Sequence, residues 1–428
     1  MSRFGFVIAI AVLAAGLRFG WQTVSQPDRD AFPVRVDYWA EIGHSLAKGH
    51  GFSAPGDPAS ERESSAQPDA SAQPGSSAQP GSVVRAGGYE PTAIRVPVFP
   101  AYLAGVYRLT GGSDQAALWG QLLLDGLAAG LITLLGMNLL GFRGGVAGGV
   151  LFALYLPEWR MMEQIWSEPL YTVVLLGTLG ALLRAGRTGA TGALLVAGIC
   201  GGLLAMTRPV GAPLALGLFA VSALHGGNRL RGVALLLAGF AVPILPWIIR
   251  NLIVFDAFIP LDTTGGFNLY LGTLGQQGYV PYSELDPDLV ARVRGATGHE
   301  TDGIFRRAAL RGITDDPGAH VMRSARKLII YLFGVRDPAV DTWPPLHRLA
   351  VNGALLTLAG MGYVGLRRRM AAAADLLLGT VVFSALVHSQ IMATPRFFFP
   401  VLPAVLILAV SGVAGLAGRL RPPATGSG

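Results

Sequence analysis

The sequence predicts an all-α integral membrane protein of about ten transmembrane helices, with amphipathic helices on its outer face. Three observations lead there. Only 14% of the 428 residues are charged and 51% are hydrophobic, where a soluble domain carries about a quarter charged residues. Apolar runs as long as a membrane crossing recur along the chain, and mean hydropathy is +0.48. The arginines and carboxylates between those runs separate by side. One cysteine, Cys200, lies inside an apolar run, which excludes a disulfide framework and a cysteine-rich zinc site.

A bilayer-crossing helix needs roughly 20 mostly apolar residues. That ruler marks 4–24, 115–141, 144–157, 167–183, 190–207, 210–224, 232–249, 346–366, 372–392 and 398–418. The run at 144–157 is short, and is either tilted or continued to Ile165. Lys327–Phe333 is apolar but too short to cross, and reads as an interfacial helix. Met1-Ser2-Arg3 ahead of an apolar run is also how a signal peptide starts. No small-x-small cleavage site follows and the run continues to Val24, so an uncleaved first span is expected.

Orientation follows from the positive-inside rule. With the N-terminus in the cytoplasm, the short loops on that side carry Arg3, Arg143, Arg184, Arg187, Arg229, Arg231, Arg367, Arg368, Arg369, Arg419 and Arg421, and no Asp or Glu. The opposite side receives nearly all the carboxylates, among them Asp28, Asp37, Asp57, Glu90, Asp262, Asp286, Asp315 and Asp341. The net charge of +7 therefore reflects topology and not a nucleic-acid partner. The large segments 25–114 and 250–345 both fall outside, and 419–428 forms a cytoplasmic tail. No cytoplasmic segment is long enough for a nucleotide-binding domain, and there is no GxxxxGK[ST]. The glycines of Gly141–Gly149 read as small residues for helix packing. Chemistry is expected on the extracytoplasmic side, on a membrane-borne or external substrate.

In the first outer segment, Tyr38, Ile42, Leu46 and Ala47 recur at helical spacing, which predicts an amphipathic surface helix over Asp37–Phe52 that ends at Gly49 or Gly51. Asp37 at its start suits an N-cap. Residues 53–87 repeat Ser-Ala-Gln-Pro at 65–68, 71–74 and 77–80, and this low-complexity insert is expected to be disordered. Pro97 and Pro100 then set a bend ahead of a short helix. Arg95 beside them is a cation at the membrane surface that can snorkel to a headgroup.

Further along the outer side, Glu158, Arg160, Glu163 and Glu168 lie between two spans. Ser167-Glu168-Pro169 reads as a helix start, where Glu168 complements the dipole; a carboxylate facing a membrane-level cavity is also a functional candidate. Arg208 follows the fifth span and Arg250-Asn251 the seventh. Gly265-Gly266 reads as a turn, with Asn268 and Tyr270 offering polar edges after it. Arg396 precedes the last span. Arg95, Arg208, Arg250 and Arg396 thus share one membrane face. The guanidinium fork suits phosphate, although with only Lys48 and Lys327 in the chain arginine is also the default cation. Seven histidines show no close pairing, so spacing supports no metal site. His44 reads as a surface residue.

Several short motifs occur in a fixed order: Asp37-Tyr38 through Gly51-Phe52, Arg95-x-Pro97-x-Phe99-Pro100, Ser167-Glu168-Pro169-Leu170, Leu204-Ala205-Met206-Thr207-Arg208-Pro209 and Pro246-Trp247-x-x-Arg250-Asn251. Phe258-x-Pro260-Leu261-x-Thr263-x-Gly265-Gly266-x-Asn268-Leu269-Tyr270 and Arg396-x-x-x-Pro400-Val401-Leu402-Pro403 complete the series. Over residues 1–418 this order resembles the GT-C membrane glycosyltransferases, specifically the protein mannosyltransferase-like and aminoarabinose transferase-like family (glycosyltransferase family thirty-nine). The resemblance implies a GT-C fold, a polyprenyl-phosphate-linked sugar as donor, and transfer on the outer face of what would be a bacterial inner membrane. It implies that Asp37 is the catalytic base of an inverting displacement. Arg208, Arg250 and Arg396, with Arg95, are candidates for the lipid phosphate. Glu168, Asn268 and Tyr270 are candidates for sugar or acceptor binding. Eukaryotic-type protein mannosyltransferases carry an adjacent Asp-Glu pair where this chain has Asp37-Tyr38, so the acceptor stays open among a glycolipid, a polysaccharide and a protein. The sequence requires no cofactor and leaves a divalent metal open. The alternative function is a flippase or transporter of lipid-linked sugars, which would start from Asp125 inside the second span.

Overall fold

The computed structural model describes residues 2–25, 38–55, 89–155, 159, 164–227, 229–275, 280, 282–334 and 345–420. Asp37, Glu158, Arg160, Glu163 and residues 56–87 of the expected insert lie outside the described residues.

The chain begins with α1 (Arg3–Ser25) and α2 (Tyr38–Ala47). Strands β1 (Ser53–Pro55) and β2 (Tyr89–Pro91) follow and pair antiparallel, Ser53 opposite Pro91. The low-complexity insert was expected to start at residue 53; instead 53–55 are held in this ladder. Next come α3 (Val98–Thr110), α4 (Asp114–Ala153), α5 (Glu168–Thr188), α6 (Thr191–Thr207), α7 (Gly211–His225) and α8 (Arg229–Phe255). An outer lobe holds α9 (Gly265–Thr273), α10 (Pro287–Val293), α11 (Gly298–Asp315) and α12 (Pro317–Phe333). The bundle closes with α13 (Pro345–Arg367), α14 (Ala371–Gln390), a 3₁₀ turn at Pro395–Val401 and α15 (Leu402–Leu420). Seven of the described helices are long and apolar enough to cross a membrane, and α6 and α7 are shorter apolar helices.

Helix α4 is two antiparallel limbs. Gly141 breaks it at φ 79°, ψ 177°, a conformation that essentially only glycine adopts. Beyond it the chain doubles back so closely that a Cβ on Gly136 would lie 2.8 Å from the Cα of Gly145. The expected spans at 115–141 and 144–157 correspond to these limbs, and the nearby glycines serve packing as expected. Small residues set other contacts in the same way: Gly198 faces Gly239 between α6 and α8, and Gly362 faces Gly412 between α13 and α15. Such pairs let backbones touch where lipid gives no hydrophobic drive between helices.

Three sequence-level readings change in the fold. Gly265-Gly266 is the first turn of α9 and not a free turn; a Cβ at Gly266 would meet the Asp302 carbonyl at 2.1 Å, so glycine lets α9 rest on α11. The Lys327–Phe333 segment is the end of a 17-residue helix, α12. Its Lys327 is buried and donates to the Gly272 carbonyl at 2.8 Å, a cation at the C-terminal end of α9. His44 is not a plain surface residue: its Nε2 lies 3.0 Å from Asp114, and its ring stacks on Tyr107 at 3.8 Å.

The first span carries an arginine, Arg18, that is fully buried. Its Nε pairs with Asp125 of α4, while Nη1 donates to the Ala153 carbonyl at 3.0 Å and Nη2 to the Phe152 carbonyl at 3.1 Å. One guanidinium thus neutralises the carboxylate of one limb of α4 and caps the other. Arg18→Leu or Asp125→Leu alone should destabilise the protein by about 3–5 kcal/mol, because each strands a buried charge. The double variant should lose clearly less than the sum of the two. Unfolding of the detergent-purified variants checks this; additive losses would show that the pair is not coupled.

Candidate functional site

Three proline junctions bring charged side chains together. Glu168 opens α5, with Pro169 behind it, where proline has no helical hydrogen bond to lose. Arg208 precedes Pro209, and a residue before proline is pushed out of the α region. It lies at φ −149°, ψ 135°, so α6 stops at Thr207 and α7 starts anew at Gly211. Thr394 is extended ahead of Pro395, and the 3₁₀ turn that follows carries Arg396.

These junctions converge on one carboxylate. Arg208 Nη1 lies 2.5 Å from Glu168 Oε1, and Arg396 Nε lies 3.5 Å from the same oxygen. The Glu168 side chain is 1% exposed, Arg208 15% and Arg396 28%. The exposure rises from the carboxylate outwards, so the cations face the opening and the anion lies beneath them. Two guanidinium groups around one carboxylate leave one positive charge in excess. Arg208 Nη1 also donates to Ser167 Oγ at 3.3 Å.

Aromatic faces hold the cations flat. Arg396 lies over Trp166 at 3.8 Å, and Arg208 lies over Phe397 at 5.1 Å, both within cation–π range. Trp166 is itself fixed: Gln121, buried in α4, accepts its backbone N–H at 2.6 Å and donates to the Gln164 carbonyl at 2.9 Å. Behind Arg208 lies a cavity of about 10 Å³, the room of roughly one water. Tyr171, Arg208, Ser384, His388 and Phe397 line it. His388 Nδ1 sits 2.8 Å from the Ser384 carbonyl. A carbonyl only accepts, so Nδ1 carries a proton. Tyr331 and Ser384 share a hydrogen bond of 2.7 Å.

Arg250 and Arg95 stand apart from this cluster. Arg250 Nη1 donates to the Thr92 carbonyl and to Asn251 Oδ1, both at 2.8 Å, and Nη2 to the Phe52 carbonyl at 2.9 Å. Its guanidinium packs among Phe52, Trp247 and Phe255. It therefore pins the residues flanking the two strands, Phe52 before β1 and Thr92 after β2, to the end of α8. Arg95 lies over Trp39 at 5.2 Å and Tyr38 at 5.9 Å, against the first turn of α2. Asn268 and Tyr270 lie on α9. The Tyr270 ring packs on Phe305 in the core of the outer lobe, and Asn268 Nδ2 reaches Thr264 Oγ1 at 3.4 Å. No hydrogen bond or ion pair among the described residues joins either to Glu168, Arg208 or Arg396.

Asp262 was counted in the sequence only as an outer carboxylate, and the structure gives it a site. It sits between α8 and α9, where Thr264 donates to it through its backbone N–H at 3.2 Å and its hydroxyl at 2.9 Å. The next residue, Thr263, donates its backbone N–H to the Ala93 carbonyl at 3.0 Å. Burial pushes the Asp262 carboxyl up to about 6, against the pull of Arg95 and of the two Thr264 hydrogen bonds. Gln121 and His388, polar groups inside apolar runs, were the sequence signal for the other residues that span-reading passed over. Among the described residues no group of three His, Cys, Asp or Glu side chains could hold a metal ion.

No family model and no curated protein matches the chain. Solved structures do. The Archaeoglobus fulgidus oligosaccharyltransferase in its apo form aligns with a TM-score of 0.54 at 14% identity, over 98% of this chain and 51% of that one. The same archaeal enzyme, AglB, in complex with an inhibitory peptide and a dolichol-phosphate aligns with a TM-score of 0.53 at 14% identity, over 98% and 50%. ArnT from Cupriavidus metallidurans bound to undecaprenyl phosphate gives a TM-score of 0.42 at 15% identity, over 97% and 79%. The chain spans about half the length of the oligosaccharyltransferase it matches. The likeness is one of fold, and it gives this helical membrane protein the GT-C architecture expected from its motif order.

The raised Asp262 carboxyl makes a prediction. Its native form binds a proton more readily than the unfolded chain does, so the stability it lends is complete below about 4 and is lost as pH rises through about 6. Asp262→Asn removes this dependence. The apparent melting temperature of the parent, relative to the variant, should fall between pH 4 and 7; parallel curves would show that Asp262 does not titrate in this range.

Proposed function

We propose that the chain is an inverting glycosyltransferase, moving a hexose or pentose from a polyprenyl-phosphate donor to a hydroxyl of an envelope acceptor. The observation that carries this reading is the Glu168–Arg208–Arg396 cluster, two stacked guanidinium groups with a net positive charge at the outer end of the bundle. Fixed cations suit a leaving phosphate, whose charge grows as the sugar departs. The GT-C fold adds support, since a protein of that fold has been seen with a dolichol-phosphate.

In this reading Asp37 takes the proton of the acceptor hydroxyl, and the acceptor oxygen attacks the anomeric carbon from the face opposite the phosphate. The carbon–oxygen bond to the phosphate breaks, its electron pair stays on the phosphate, and Arg208 and Arg396 receive that charge. Glu168 holds the two arginines in register. Arg95 and Arg250 shape the wall around the acceptor by fixing α2 and the outer hairpin. The reaction takes place on the extracytoplasmic face of a bacterial inner membrane, with both termini in the cytoplasm, and the acceptor is a glycolipid, a polysaccharide or a protein. A transporter would start from Asp125, but Arg18 already neutralises that carboxylate and ties it to the backbone of α4.

Radiolabelled polyprenyl-phosphate sugars with an envelope acceptor extract test the assignment. Asp37→Asn should lose sugar transfer while keeping donor binding. Arg396→Gln should weaken donor binding about tenfold or more, the worth of a charge-assisted contact. An Asp37→Asn protein that transfers as well as the parent, or movement of the lipid across liposomes without any transfer, would overturn the reading.

A further inference from the structure

A second concave site lies at the opposite end of α5. Between the last two turns of α5 and the first turns of α6 runs an open groove of about 410 Å³, within the size range of small-ligand sites. Gly180, Ala181, Gly192 and Val196 form its apolar floor, and Arg184 and Thr188 stand at its end. The floor is deep because glycine leaves it so: a Cβ at Gly180 or at Gly192 would meet no atom within 4 Å. Arg184 is exposed. Arg231 of α8 reaches the same mouth and donates to Thr191 Oγ1 at 2.7 Å.

The charge around this mouth has one sign. Arg187 and Arg229 lie in the adjoining turns. Asp375, at this end of α14, is occupied by Arg367 at 3.0 Å and His225 at 3.0 Å. Sixteen residues of helix separate Arg184 from Glu168, a rise of about 24 Å, which is most of a bilayer's hydrocarbon thickness. A ligand phosphate at Arg184 would therefore sit in the other leaflet from the Glu168 cluster. An apolar furrow running along the bilayer normal, with a guanidinium at its headgroup end, fits one chemistry: an acyl chain below and an anionic headgroup above.

The geometry points to a binding site for one anionic phospholipid, with its phosphate on Arg184 and an acyl chain along Gly180, Ala181 and Val196. This site is separate from the donor site and does not depend on the catalytic reading.

Native mass spectrometry of the full chain released from detergent tests it, with phosphatidylglycerol and phosphatidylcholine as probes. The parent should retain one phosphatidylglycerol in preference to phosphatidylcholine, and Arg184→Gln should lower that retention by about fivefold, the worth of one arginine near an anionic surface. Arg187→Gln, an arginine of the same turn that does not line the groove, should leave it unchanged. Gly180→Leu with Gly192→Leu, placed where a Cβ meets no atom within 4 Å, should fill the furrow and displace the lipid while Arg184 stays in place. Excess inorganic phosphate should not displace it. Equal losses in the Arg184 and Arg187 variants, or retention unchanged in the filled groove, would overturn the site. So would displacement from the groove by a polyprenyl phosphate, which would assign it to the donor lipid.

Discussion

A carboxylate buried at the level of a membrane must be met by a cation, and Glu168 is met by two. This end of the bundle depends on it. Arg208 comes from the junction of α6 and α7, Arg396 from the turn before α15, and Glu168 from the first turn of α5. Elements far apart in sequence are therefore held at one point by charge, and removing either sign would leave the other stranded in a low-dielectric site. The same constraint makes the site chemically useful. The pairing is unequal, one anion to two cations, so it leaves a positive charge where the cations are the more exposed members.

Charge serves elsewhere as a tie between elements that apolar contact alone would leave loosely defined. Arg18 joins α1 to both limbs of α4. Arg250 draws the Phe52 and Thr92 carbonyls, from the two sides of an outer segment, onto the end of α8. Lys327 closes the C-terminal end of α9. Each cation reaches backbone carbonyls outside its own helix. In a membrane protein this is a firmer device than burying another leucine, because lipid is as apolar as leucine. Glycine acts in the complementary way. It lets α6 and α8, or α13 and α15, come within backbone contact, so that the charged ties close at the right distance.

The two ends of the bundle are chemically distinct. One presents aromatic-backed arginines above a buried carboxylate. The other presents arginines on short turns beside an open apolar groove. The first arrangement has the charge the proposed leaving phosphate needs. The second has the shape and charge of the proposed lipid site.

The helical membrane class was legible in the sequence because it rests on composition and period. A deficit of charge and runs of about 20 apolar residues are one-dimensional signals, and the helices lie close to where those runs place them. The proline junctions were legible too, since Pro169, Pro209 and Pro395 dictate local backbone whatever surrounds them. Which of four equivalent-looking arginines would meet Glu168 was not legible. Arg208, Arg250, Arg396 and Arg95 carry the same side chain beside similar aromatic neighbours. Only the packing of helices distant in sequence turns the first and third onto a carboxylate, the second onto carbonyls and the fourth onto Trp39. For the same reason Asp262 looked ordinary in the sequence: burial and hydrogen-bond partners are properties of a three-dimensional neighbourhood, and neither is written in a residue's own position along the chain.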